Sequence, residues 1–184
     1  MRPLFISFHI YEKQILEKPF IDVLRKHEPI GCRDYSTMEL LKSNNVKCYF
    51  SGCLTIGIDI YKWSENNSQN SYLVDVIDKK KHNLKLINHD SNSYKNICYK
   101  EGLKIALDYL KMYSESKFVK TSKLHCYLPC MAMDVPVQLV SPRNEKKLAN
   151  WGAGKRFIGL VDIINSDNKQ NYISMQKNTI FNFI

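Results

Sequence analysis

The sequence predicts an α/β fold built on a mainly parallel sheet. Three observations carry that expectation. Short runs rich in Ile, Val and Phe recur at strand length, apolar patterns of helical period separate them, and no repeat of solenoid length is present. Strands that alternate with helices favour parallel pairing, because a parallel partner is reached only through a crossover. A length of 184 residues fits a single domain over 1–184.

The elements follow in order. Leu4 to Ile10 is apolar and too short for a helix, so it reads as a buried strand. Pro19 suits the first turn of a helix with Phe20, Val23 and Leu24 on one face, ending near His27. Pro29-Ile-Gly-Cys32 returns to extended chain. Ser36-x-x-Glu39 has the spacing of a capping box and opens a helix with Met38, Leu40 and Leu41. Asn44-Asn45 stops that helix, and Val46 to Phe50 is the next strand. Trp63 to Ser71 is polar and reads as a loop, mobile over Glu65 to Ser71. Strands are expected at Tyr72 to Ile77 and Leu84 to Ile87, with Lys79-Lys-Lys-His82 as a solvated turn between them. Leu103, Leu107, Leu110 and Tyr113 mark an amphipathic helix from about Ser93 to Ser114. Phe118 to Thr121 is a strand, Leu124 to Met133 an apolar helix, and Pro136 to Val140 a further strand. The pattern weakens after Ser141 and recovers over Phe157 to Ile164.

Composition narrows the function classes. No apolar run approaches the ~20 residues that span a bilayer, and no secretory leader is legible, so the expected address is the cytoplasm. Lys and Arg total 27 against 18 acidic residues, a formal charge of +9. Such a surface attracts phosphorylated small molecules, nucleic acid or anionic headgroups, so peripheral membrane contact stays open. No motif pairs basic residues with exposed aromatics, which disfavours nucleic acid as the partner. The six cysteines lack a Cys-x2-Cys or a spaced Cys/His quartet. They read as reduced, small hydrophobes, and no metal site is expected.

In parallel sheets, ligands gather where strands end and helices begin. Two such junctions carry cations and hydroxyls: Gly31-Cys-Arg-Asp34 and Thr121-Ser-Lys-Leu-His-Cys126. Backbone N–H groups at a helix start favour an anion there. Elsewhere His9 reads as a satisfied structural histidine, and Gly52 as a turn glycine. Trp63 and Trp151 suit either sugar stacking or boundary packing.

The stretch Pro29-Ile-Gly-Cys-Arg-Asp-Tyr-Ser-Thr-Met-Glu-Leu-Leu41, followed by Cys48-Tyr-Phe-Ser-Gly-Cys-Leu-Thr55, resembles the central signature of polysaccharide pyruvyl transferases. Phe118-Val-Lys-Thr-Ser-Lys-Leu-His-Cys-Tyr-Leu-Pro-Cys-Met-Ala-Met-Asp-Val-Pro-Val137 resembles their second signature, and Lys155-Arg-Phe-Ile-Gly-Leu160 a weaker downstream element. The resemblance implies a Rossmann-like α/β fold that is part of a glycosyltransferase-B-type architecture. It also implies that the chain lacks the N-terminal part of complete members. The implied reaction transfers pyruvate from phosphoenolpyruvate to a sugar of a surface glycan or its precursor, forming a ketal. No cofactor is needed, since phosphoenolpyruvate is itself the donor.

By the same resemblance, His125 takes the family's histidine position and is the expected general acid. Arg33 matches the family arginine and suits a bidentate clamp on carboxylate or phosphate. Lys123 stands where most relatives carry arginine, which gives a point charge in place of a planar fork. Ser122 is expected either to donate to phosphate or to cap the following helix. The alternative is an inactive remnant that binds glycans or anions, or serves as a scaffold.

Overall fold

A computed structural model describes residues 3–10, 16–60, 70–76, 84–89 and 97–140. Of the polar loop expected over Trp63 to Ser71, positions 63–69 lie outside these residues, as do the cation run 79–82, Trp151 and the elements expected after 141, while Ser71 belongs to a strand and not to a mobile loop. The chain is a mixed, Rossmann-like α/β structure whose named strands all pair in parallel. Its described residues fall into two compact units divided between Gly57 and Ile58.

The first unit holds α1 (Lys18–Lys26), β1 (Ile30–Cys32), α2 (Tyr35–Ser43) and β2 (Cys48–Phe50), then a 3-10 helix at Leu54–Ile60 that runs across the division. β1 is buried along its whole length, as a central strand must be, and pairs with β2 from Ile30↔Cys48 to Cys32↔Phe50. The expected first strand, Leu4 to Ile10, forms only a single bridge, between Phe8 and Cys32. The backbone shows why. Gly31 donates its N–H to the Phe5 carbonyl and accepts from the Phe8 N–H, so two residues occupy the place of one. Ser7, at φ 57°, is the extra residue of this bulge.

α1 carries Pro19 in its first turn and is capped at His27, as the sequence predicts. Its buried face is Ile21 and Leu24 with Phe20 beside them; Val23, expected there, is exposed. A helix turns about 100° per residue, which swings Val23 away from a face centred between Ile21 and Leu24. α2 starts one residue before the expected capping box. Its cap is Asp34, whose carboxylate accepts the Thr37 N–H at 2.9 Å, and Glu39 has no part in it. Asn44 and the left-handed Asn45 end the helix as expected. Ile10, Ile21, Leu24, Ile30, Cys32, Leu41 and Val46 form the core of this unit.

The second unit holds β3 (Ser71–Val74), β4 (Lys85–Ile87), α3 (Tyr99–Ser114), β5 (Phe118–Thr121), α4 (Leu124–Ala132) and β6 (Val137–Leu139). Strand order is β4-β3-β5-β6, all parallel. The chain leaves β3 toward one edge for β4 and returns by α3 to the other side for β5. That reversal is a topological switch point, the place in the strand order where open α/β sheets bind their ligands. β3 stops at Val74, short of the expected Ile77, because Asp75 turns into the left-handed region at φ 52°. α3 begins at Tyr99. Tyr109, Leu110, Met112 and Tyr113 pack on the core, whereas Leu103 of the expected stripe is exposed. β5 and α4 fall where the sequence places them, and α4 is buried from Cys126 to Cys130.

Candidate functional site

Each unit presents one strand-to-helix junction with chemistry. In the first, Arg33 follows β1, and its N–H donates to the Phe8 carbonyl at 2.8 Å. Its side chain is 15% exposed, and Nε lies 3.6 Å from Asp34 Oδ2. That Nε has no hydrogen-bond partner among the described residues. The guanidinium is half-buried, and its planar fork is of the kind that pairs with a carboxylate or phosphate.

Asp34 beneath it is fully buried and heavily used. Oδ1 accepts from the Ser36 hydroxyl at 2.7 Å and from the Thr37 N–H, while Oδ2 meets His9 Nδ1 at 2.8 Å. Burial by itself would raise this carboxyl. The hydrogen bonds from Ser36 and Thr37, with the His9 ring, outweigh it and hold Asp34 below its ordinary value. His9 is therefore held through Nδ1 by a buried carboxylate. Ser51 locks the bulge next to it, accepting the Ser7 N–H at 2.9 Å and donating to the Cys32 carbonyl at 3.0 Å. Gly52 turns the chain at φ 66°. On the solvent side, Tyr35 stacks on Phe50 with centroids 4.3 Å apart.

The second junction lies at the switch point. Ser122, Lys123 and His125 follow β5 on the turn into α4, and the structure places all three there together; Arg33 belongs to the other unit. Lys123 is the N-cap residue of α4, and no side chain caps the helix. The Lys123 N–H donates to Thr121 Oγ1 at 3.0 Å, which ties the turn back to the strand. Lys123 and His125 are both exposed. Ser122 does not cap α4. Its hydroxyl donates to the Asp75 carbonyl at 2.6 Å, leaving its oxygen able to accept.

Asp75 and His89 carry a second polar arrangement, one that the motifs of the sequence do not single out. Asp75 follows β3 and His89 follows β4. The Asp75 carboxylate accepts the His89 N–H at 2.8 Å and meets His89 Nδ1 at 2.6 Å. On the far side of the ring, His89 Nε2 lies 2.7 Å from the Tyr113 hydroxyl. Burial, then the neighbouring Cys126 thiol, pushes the Tyr113 phenol far above its ordinary value, so it keeps its proton. The sequence does hold a usable signal: an Asp directly after an apolar strand, and a His two residues beyond the next one. No group of three or more His, Cys, Asp or Glu placed to hold a metal occurs among the described residues.

Comparison with known families agrees with this anatomy. The family model described as polysaccharide pyruvyl transferase matches residues 6–144, which takes in both junctions. The chain belongs to the polysaccharide pyruvyl transferase family. No curated protein and no solved structure gave a match. Membership implies a sugar acceptor and a place in polysaccharide biosynthesis. No helix among the described residues is long and apolar enough to cross a membrane.

Proposed function

We propose that this pyruvyl transferase family member uses phosphoenolpyruvate as donor and acts in the cytoplasm on a sugar of a surface glycan or its precursor. The architecture in that reading is part of a glycosyltransferase-B-type fold. The observation that carries it is the pair of junctions at strand carboxyl ends, one bearing Arg33 and the other Lys123 and His125. Both lie inside the matched segment.

The chemistry assigns each group a task. Phosphoenolpyruvate has two anionic ends, a phosphate and a carboxylate. Taken by itself, the Arg33 fork of the first unit suits a carboxylate or a phosphate; the Lys123 charge and the uncapped start of α4 in the second unit suit a phosphate. His125 delivers a proton to the methylene carbon, which becomes the methyl group of the product. The adjacent carbon gains cationic character and bonds to one sugar hydroxyl oxygen. Its bond to the phosphate oxygen breaks, with the electron pair leaving on inorganic phosphate. A second sugar hydroxyl closes the ketal; of the two hydroxyl protons, one goes to the departing phosphate, giving hydrogen phosphate, and the other restores the proton that His125 gave up. Atoms and charge balance without a redox or metal cofactor.

The test is incubation of the full chain with phosphoenolpyruvate and a mixture of methyl hexosides. Phosphate release and pyruvylated product are read together by mass spectrometry. Transfer by wild type and its loss in His125→Ala, with phosphoenolpyruvate affinity retained, is the expected result. A His125→Ala protein that transfers at the wild-type rate removes His125 as the acid. A folded wild type that neither binds the donor nor transfers favours the inactive, anion-binding remnant.

A further inference from the structure

Asp75 is the most heavily used polar residue at the switch point of the second unit. Its N–H donates to the Ile87 carbonyl at 2.9 Å, which ties the end of β3 to the end of β4. Its carbonyl accepts the Ser122 hydroxyl, which ties β3 to the turn after β5. Its two carboxylate oxygens hold the His89 backbone and ring. The residue sits at φ 52°, a conformation that aims the carbonyl and the carboxylate at these different partners. Three strand ends therefore meet on one side chain and its peptide.

His89 closes the arrangement from the core side. A carboxylate can only accept, so Nδ1 carries a hydrogen, and Nε2 shares its hydrogen bond with the Tyr113 hydroxyl. Tyr113 is 2% exposed and packs within the core formed with Val119, Cys126 and Cys130. Tyr109 adds its ring against the imidazole, with centroids 4.5 Å apart. Both ring nitrogens are thus engaged, one by a carboxylate and the other by a buried phenol. Such a histidine is held, with no nitrogen left over for a substrate proton.

We infer that Tyr113, His89 and Asp75 form a positioning relay that acts through Ser122 to set the turn presenting Lys123 and His125. The inference rests on those two residues being the working groups of the proposed function. It changes the part played by Ser122, which anchors the turn with a hydroxyl proton already committed to Asp75. The relay runs in one order: the core fixes Tyr113, Tyr113 fixes the ring, the ring fixes the Asp75 carboxylate, and the Asp75 carbonyl fixes Ser122.

That order makes the two halves of His89 separable. An asparagine amide nitrogen falls where Nδ1 lies and keeps the bond to Asp75, but offers nothing to Tyr113. A glutamine amide reaches the position of Nε2 and keeps Tyr113, but leaves the Asp75 carboxylate. The experiment uses the full chain and reads two probes of the turn, amide exchange at Lys123 and the NMR cross-peak of the His125 imidazole. Thermal stability is measured alongside. His89→Gln, Asp75→Asn and Ser122→Ala are expected to speed Lys123 exchange roughly five- to tenfold, the loss of about one hydrogen bond. All three should also move the His125 cross-peak. His89→Asn, which cuts the ring's tie to Tyr113, is expected to disturb both probes as well, because the relay starts from the core. A His89→Asn protein with both probes unmoved would overturn the relay, because the turn would then be set without Tyr113. So would a Ser122→Ala protein with both probes unmoved, a variant that removes one half-buried hydroxyl and leaves the core intact. Neither probe needs a ligand. A wild type that fails to bind phosphoenolpyruvate therefore overturns the proposed function, while the two turn probes still decide the relay by themselves.

Discussion

Asp34 shows how much one side chain can organise. It caps α2, accepts from Ser36 and His9, and lies beside the Arg33 guanidinium, all from a fully buried position. Its folded value lies below the ordinary 3.8, so folding favours the ionised form. The stabilisation it gives is therefore whole above about pH 4–5 and is lost as pH falls through the depressed folded value. Asp34→Asn keeps the shape and discards the charge. Denaturant titrations from pH 7 to pH 3 should show wild type more stable at neutrality, with the gap to Asp34→Asn closing on acidification. A gap that stays constant with pH contradicts this assignment. The candidate cations are legible in the sequence at this scale, because Arg33, Lys123 and His125 sit in signature motifs. Asp75, His89 and Tyr113 are not, since they lie far apart along the chain and only the sheet brings them together. Asp34 is legible as part of a junction, but not as the cap of α2, because the Ser-x-x-Glu spacing that follows imitates a capping box and points to Ser36.

Elements are legible where period and punctuation agree. α1 has Pro19 at its start, α2 has Asn44-Asn45 at its end, and β5 and α4 follow one another as the pattern requires. The departures share a cause, which is that backbone conformation away from the regular regions leaves little trace in hydropathy. Ser7 and Asp75 both adopt positive φ, one breaking the first strand and the other ending β3 early. The α3 stripe misleads for another reason: Leu103 fits the period, but the helix leans on the core only over its C-terminal turns. Gly31 offers a test of how tightly the first bulge is packed. A Cβ there would meet Tyr49 Oη at 2.9 Å, the Phe5 carbonyl oxygen at 3.0 Å and Ser51 Cβ at 3.0 Å. Two of these three are fixed by the backbone or held by hydrogen bonds. Gly31→Ala should therefore destabilise the protein by about 1–3 kcal/mol, the range of overpacked cores, in chemical denaturation. A variant as stable as wild type would show that the bulge yields.

Across the molecule, two small cores support two junctions, one in each unit. The first is centred on Leu24, Ile30 and Leu41; the second joins Val74, Tyr113 and Val119 to the buried face of α4. Leu128 lies on α4 with no exposed surface, a few residues past the turn that carries His125. Leu128→Ala should cost about 2–5 kcal/mol through lost burial and the cavity left behind. Hydrogen exchange should show the loss as weaker protection in α4; unchanged protection there would contradict the burial of Leu128. The parallel α/β class is legible from alternation alone, because crossovers demand it. The division between Gly57 and Ile58 is not, since no composition shift marks it. The central claim concerns the donor, and calorimetric titration of phosphoenolpyruvate into wild type, Arg33→Lys and Arg33→Ala tests it most directly. A clamping guanidinium contributes ~1.5–3 kcal/mol, so Arg33→Ala should bind about tenfold or more weakly. Arg33→Lys should fall between, keeping the charge but losing the fork. Equal affinity in all three proteins would contradict the clamp, and no heat of binding in folded wild type would contradict phosphoenolpyruvate as the donor.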